Sequence, residues 1–212
     1  MSYDYSENIL VQESAGHLLV DELGWQVELA YNQEVLGENG TFGRSSYKDI
    51  LLVRYFQKAL RTLNPWITDA QVTEAQNTFE KHLSSASLMQ INEEKYAYIR
   101  DGIPVTEKKP NGQTEEKRAI IIDFQHPNDM ERNHFLAVKE MKIHGDLYRR
   151  RTDIVGFVNG IPLLFIELKK NSVDVQNAYT DNYTDYLDTI PQLFYYNAFL
   201  MLSNGVEAKV AT

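Results

Sequence analysis

Over roughly the first ninety positions, apolar residues recur at helical spacing. In ENILVQESAGHLLVDELGW, Ile9, Leu10, Ala15, Leu18, Leu19 and Leu23 fall at helical spacing, and Gly24 closes the pattern. The polar NQEVLGENGTFGRSS predicts a loop. YKDILLVRYFQKALRTLN predicts a second amphipathic helix and NPWITDAQVTEAQNTFEKHL a third, with Pro65 ahead of it and Thr68 or Asp69 as N-cap. This helical part ends near Met89. From Lys95 the period changes: KYAYIRDGIPV, KRAIIIDFQ, NHFLAVKEMKIHG, RTDIVGFV and IPLLFIELKK predict successive strands, with KKPNGQTEEK a polar hairpin loop between the first two. NSVDVQNAYTDNYTDYLDTI returns to helical spacing, capped by Asn171 or Ser172 with Asp174 in its first turn, and PQLFYYNAFLMLSNG predicts a final buried strand. No internal repeat or linker interrupts this order. It predicts an α/β fold, a mixed β-sheet flanked by helices, in a single domain over residues 1–212, with a helical part to about 90 and a sheet core from about 95.

Composition narrows the chemistry. With 43% hydrophobic residues the 212-residue chain can bury a sizeable core. No apolar run approaches the roughly 20 residues of a membrane span, and Met1–Leu10 lacks a signal-peptide layout. The absence of cysteine excludes disulfides, thiolate metal sites and cysteine nucleophiles, and fits a cytoplasmic location. A net charge of −9 argues against bulk electrostatic binding to nucleic acid, so any such contact needs a local basic patch. The five histidines show no metal-ligand spacing. No G-x-x-x-x-G-K-[ST] is present to cradle the phosphates of ATP.

The stretch TDIVGFVNGIPLLFIELKK is an apolar hairpin with Asp153 at its start and Glu167, Lys169 and Lys170 at its end. Its register decides whether these groups meet. A two-residue loop at Asn159-Gly160 pairs Val158 with Ile161 and Asp153 with Ile166, and turns Glu167 and Lys169 to the opposite face. A three-residue loop pairs Phe157 with Ile161 and places Asp153 opposite Phe165, on the face of Glu167 and Lys169, with the two acidic residues roughly 7–8 Å apart on a diagonal. Pro162 cannot donate a ladder hydrogen bond, so an odd loop or a bulge is expected. Two carboxylates on adjacent strand ends can hold Mg²⁺ while leaving positions for water and phosphate. A lysine two residues beyond the second can offset charge developing in phosphodiester hydrolysis. The pattern E-x-K also occurs at Glu93, Glu115 and Glu207 in polar or terminal surroundings, whereas Glu167 follows the buried run IPLLFI. A metal site and a structural Asp–Lys or Glu–Lys pair are both open from these residues alone.

Asp153 followed by Glu167-Leu168-Lys169 resembles the PD-(D/E)xK nuclease signature. RRRTDIVGFVNGIPLLFIELKK with IPQLFYYNAFLMLSNG downstream closely resembles the nuclease domain at the N-terminus of the restriction (motor) subunit of type I restriction enzymes. IIIDFQHPNDMERNHFLAVKE and the opening helix extend the likeness to essentially the whole chain. The resemblance implies a restriction-endonuclease-like core and a Mg²⁺-dependent endonuclease that cuts unmethylated foreign double-stranded DNA. It also implies methyltransferase and specificity subunits as partners, and ATP-driven translocation by motor domains of the same subunit. LSNGVEAKVAT stops where the family continues its nuclease domain, so a fragment is expected.

Carried over by position, Asp153 and Glu167 are metal ligands and form the catalytic set with Lys169; Glu13 aligns with an acidic residue that related nucleases place near the metal, or is a solvated helix glutamate. Thr152 stands where the family usually has proline. The family's Q-x-x-x-Y motif falls on Asn182 and Tyr186, the asparagine keeping the amide but reaching one methylene less far. Tyr179, Tyr183 and Tyr186 could equally pack their helix on the sheet. Arg149, Arg150 and Arg151, with Lys139, Lys142, Lys169 and Lys170, are candidate phosphate contacts or a solvated or motor-facing edge. Besides the endonuclease, a catalytically inactive nuclease-like DNA-binding and docking module fits the chain. An independent repair or junction nuclease shares the core but does not explain the long match outside it.

Overall fold

The computed structural model describes residues 7–212. Helix α1 (Glu7–Asp21) ends as its sequence predicts: Gly24 takes φ +69° and its N–H closes on the Val20 carbonyl. Strand β1 (Gln26–Leu29) follows, which the sequence pattern did not reveal. The loop beyond it is pinned by a buried ion pair, the Arg44 guanidinium gripping both oxygens of Glu34 at 2.6 and 2.8 Å.

Three helices follow rather than two. Helix α2 (Val53–Leu63) starts later than its apolar pattern suggests, because the Asp49 carboxylate ties the Ser45 and Ser46 N–H groups into a turn. Helix α3 (Asp69–Glu80) is capped by Thr68, whose hydroxyl and Gln71 form a reciprocal capping box. Helix α4 (Leu88–Asp101) corrects the prediction of a strand from Lys95. Ser87 and Gln90 form a second capping box, and the helix runs on to Gly102, at φ +84°. Only then comes a hairpin, β2 (Ile103–Lys108) with β3 (Thr114–Ala119), which stands apart from the main sheet and shares a core with α2–α4.

Strand β4 (Phe135–Lys139) leads through Glu140, at φ +52°, into β5 (Lys142–His144), so the single predicted strand is divided. Its partner is divided likewise into β6 (Arg149–Arg151) and β7 (Ile154–Val158). Strand β8 (Ile161–Leu168), a helix that is π-helical over Ala178–Tyr183 and continues as α5 (Thr184–Thr189), and strands β9 (Phe199–Ser203) and β10 (Ala208–Ala211) complete the chain. The helix begins later than predicted, with the Asp174 carboxylate rather than Asn171 or Ser172 accepting the first free N–H, from Gln176. The sheet order is β1-β4-β7-β8-β9-β10, parallel between β1 and β4 and between β8 and β9, antiparallel elsewhere.

Strand alternation gives the sheet two apolar faces. Ala137, Ile154, Ile166 and Leu168 pack under α1 through Leu19 and Ala15. Val138, Val155, Phe157 and Phe165 pack under the last helix through Ala178 and Tyr186. The chemistry lies at the edge of this second face.

Candidate active site

The β7–β8 hairpin turns in two residues, not three. Asn159 and Gly160 take φ +53° and +80°, the pair of positive angles that matches the twist of the flanking strands. Neither is replaceable: Asn159 bonds the His134 backbone N–H and the Ile121 carbonyl, while a Cβ on Gly160 would lie 2.5 Å from the Leu52 carbonyl oxygen. By itself this turn would put Asp153 and Glu167 on opposite faces. A bulge reverses that outcome. Val158 pairs with Ile161 and Phe157 with Pro162, but Gly156 then pairs with Leu164, leaving Leu163 as an extra residue. The Leu163 carbonyl accepts from the Ala198 N–H at 2.9 Å, where β8 begins to pair with β9. Beyond the bulge Ile154 pairs with Ile166, and one step further Asp153 lies directly opposite Glu167. The expected irregularity is therefore a bulge, and the carboxylates are direct rather than diagonal neighbours.

Glu167 is 3% exposed, and its Oε2 has no hydrogen-bond partner among the described residues. Burial, and next the charge of Asp153, push its carboxyl well above the usual carboxylate range, with Lys169, Tyr186 and Asn182 pulling the other way. Asp153 is raised too, chiefly by burial, against the Leu168 N–H that donates to its Oδ2 at 2.7 Å. Lys169 shares the face of Glu167, and its ammonium donates to the Asn182 side-chain oxygen. Tyr186 is buried edge-on against Phe165 and donates its hydroxyl to the Arg151 carbonyl at 3.1 Å. Burial and the Glu167 charge raise its pKa. Tyr183 packs against Phe194, whereas Tyr179 is largely exposed. Thr152, in place of the usual proline, donates its N–H to the Met141 carbonyl, a bond proline could not make.

Other candidates stand elsewhere. Glu13 pairs with Lys139 at 2.6 Å on the α1 side of the sheet, away from the face that carries Glu167 and Asn182. Lys139 is thereby buried and engaged, which removes it from the phosphate contacts. The three arginines are split by strand alternation. Arg149 is exposed, Arg151 is exposed over the Tyr31 ring and 3.3 Å from Glu140, and Arg150 turns inward to Asp185. Lys142 lies over the same Tyr31 ring, and Lys170 is half-buried. Among the described residues no group of three or more histidine and acidic side chains is placed to hold a metal, so the donors on offer are Asp153 and Glu167. Of the five histidines, His134, His144 and His82 lie against tyrosine rings, His126 lies beside Asp123, and His17 is exposed. An apolar groove of about 880 Å³, lined by Leu18, Ile166, Phe199 and Met201, opens on the α1 side, away from these carboxylates.

Sequence reasoning missed three contacts: Asn182 with Lys169, Tyr186 with the Arg151 carbonyl, and Arg150 with Asp185. Each joins the last helix to a strand 13 or 35 residues away. Only the Q-x-x-x-Y likeness pointed toward the first two.

Residues 4–212 match the family model described as the type I restriction enzyme R protein N terminus. The type I restriction enzyme HindI endonuclease subunit of Haemophilus influenzae is 31% identical over 197 residues, 91% of this chain and 18% of that protein. The MjaIXP endonuclease subunit of Methanocaldococcus jannaschii is 30% identical over 171 residues, 78% of this chain and 16% of that one. The chain thus spans less than a fifth of the length of these relatives. A family match over nearly every residue, on a mixed sheet whose two central strands bring Asp153, Glu167 and Lys169 together at their ends, leads to one conclusion: the chain belongs to the family of type I restriction enzyme R protein N-termini.

Proposed function

We propose that this chain is the endonuclease domain of a type I restriction enzyme R subunit, hydrolysing phosphodiester bonds of double-stranded DNA with Mg²⁺. The observation that carries this reading is Glu167: a buried carboxylate with an unpartnered oxygen, set opposite a second carboxylate. Such a pair costs several kcal/mol of desolvation unless a cation offsets it. Asp153 and Glu167 would hold the ion, Asp153 being fixed by the Leu168 N–H. When bound, Mg²⁺ acidifies a coordinated water and stabilises charge on phosphate oxygens. Lys169, oriented by Asn182, places a positive charge beside the scissile phosphate. Tyr186 fixes the wall of the site through its bond to the Arg151 carbonyl. Arg149, Arg151 and Lys170 supply backbone contacts to a chain whose net charge of −9 otherwise repels DNA. Specificity, methylation and ATP-driven translocation belong, on this reading, to the partner subunits and motor domains of a cytoplasmic complex.

A second reading, a docking module that no longer cuts, draws on the shorter Asn182 in place of the family's glutamine. Calorimetric titration of Mn²⁺ separates the two. Binding that disappears in Glu167→Ala supports the nuclease. Equal heats in both proteins, or none in either even with a short duplex present, favours the docking module.

A further inference from the structure

Arg150 occupies the middle of a basic run, yet its strand register turns it away from solvent. In β6 it pairs with Ile143, which is fully buried, whereas its neighbours pair with Lys142 and His144. Its guanidinium meets Asp185 of α5 through two parallel hydrogen bonds, Nη2 to Oδ1 at 2.7 Å and Nε to Oδ2 at 2.5 Å. One residue along the strand, the Arg151 carbonyl accepts from Tyr186, one residue along the helix. Two consecutive strand residues thus hold two consecutive helix residues. Two residues beyond Arg151 the chain reaches Asp153, and four residues before Tyr186 the helix reaches Asn182, bonded to Lys169.

We propose that Arg150 and Asp185 are positioning residues, whose bidentate pair docks the helix of Asn182 and Tyr186 onto the strand of Asp153 and so sets Asn182 against Lys169. The inference rests on the nuclease reading for its purpose, but its geometry does not. The side chains are 26% and 36% exposed, a setting in which an ion pair contributes little stability. The planar two-point fork instead fixes direction, which a lysine at this position could not do. It also removes Arg150 from the set of phosphate contacts.

The test compares Arg150→Gln, Asp185→Asn, the milder Arg150→Lys and the charge-swapped Arg150→Asp/Asp185→Arg chain. Three readouts are taken: the Asn182 side-chain amide signals by NMR, Mn²⁺ affinity by calorimetry, and affinity for a short DNA duplex. Positioning predicts that both neutralising variants shift the Asn182 signals alike and weaken Mn²⁺ binding about ten-fold, as loss of an outer partner of a metal site does. Arg150→Lys should shift the signals in the same direction, and the swapped chain should restore them. A phosphate contact predicts the opposite pattern, with duplex affinity falling in Arg150→Gln and rising in Asp185→Asn; that result overturns the proposal. So do unchanged Asn182 signals accompanied only by a lower Tm. If the unaltered chain takes up no Mn²⁺ even with the duplex present the nuclease reading falls, and the Asn182 signals still decide the positioning role.

Discussion

Glu167 gives the molecule a pH dependence of unusual sign. In an unfolded chain a glutamate ionises near pH 4.3. In the fold, burial and the neighbouring Asp153 hold the proton to higher pH. Between those limits the native state keeps a proton that the unfolded state has released, so stability falls as pH rises through the window. Asp153, raised for the same reason, adds to the effect. Glu167→Gln should therefore raise the metal-free Tm at neutral pH, by about 2 kcal/mol or roughly 4–8 °C, with the gain vanishing near pH 4. Scanning calorimetry of both proteins across this range checks it. Equal Tm values at pH 7 would mean that the carboxylate carries no penalty in the fold. Glutamate at a site where glutamine is more stable marks a residue kept for something other than folding.

At the scale of elements, one extra residue in β8 decides which side chains share the site. The Asn159-Gly160 turn alone would turn Glu167 away from Asp153, and Leu163 restores the phase. Deleting Leu163 should leave a folded chain of lower Tm that no longer binds Mn²⁺, because Asp153 and Glu167 then lie on opposite faces. Retained binding in a chain that still unfolds cooperatively would show that the bulge does not set the face. Pro162 signalled an irregularity in the sequence. Its location was not legible there, because the strand that pairs with β8 beside the bulge, starting at the Ala198–Leu163 hydrogen bond, lies far along the chain. Helix α4 shows the converse. The spacing Ser87-x-x-Gln90 is a legible start signal, yet Tyr96, Tyr98 and Ile99 alternate enough to resemble a strand. The helix prevails because its cap is satisfied and because Ile99 and the side chain of Lys95 are buried.

For the molecule as a whole, the proposed function links folding and ion binding through the same two carboxylates. An ion that binds only the native state at a hundred times its Kd stabilises it by about 2.7 kcal/mol. Saturating Mn²⁺ should thus raise the Tm of the unaltered chain by roughly 5–11 °C and leave Glu167→Gln nearly unmoved. The comparison is made at neutral pH by calorimetry. Equal shifts in the two proteins would place the bound ion elsewhere on an acidic surface of net charge −9. The sheet packs helices on both faces, which buries the ends of β7 and β8 and the Glu167 side chain with them.

The sequence by itself determined the element types wherever the local signal was self-sufficient: the α1 stop at Gly24, the Thr68 cap, the presence though not the length of a turn at Asn159-Gly160, and the apolar strands of the hairpin. It also put the candidate residues Asp153, Glu167 and Lys169 within one hairpin, because their spacing is short-range information. Only the tertiary structure decided their phase, set by a bulge held from the lead-in to β9, and the fate of the charges around them. Glu13 and Arg150 look like available functional groups in the linear chain. Lys139 and Asp185, 126 and 35 residues away, neutralise them, and no local pattern encodes contacts of that range.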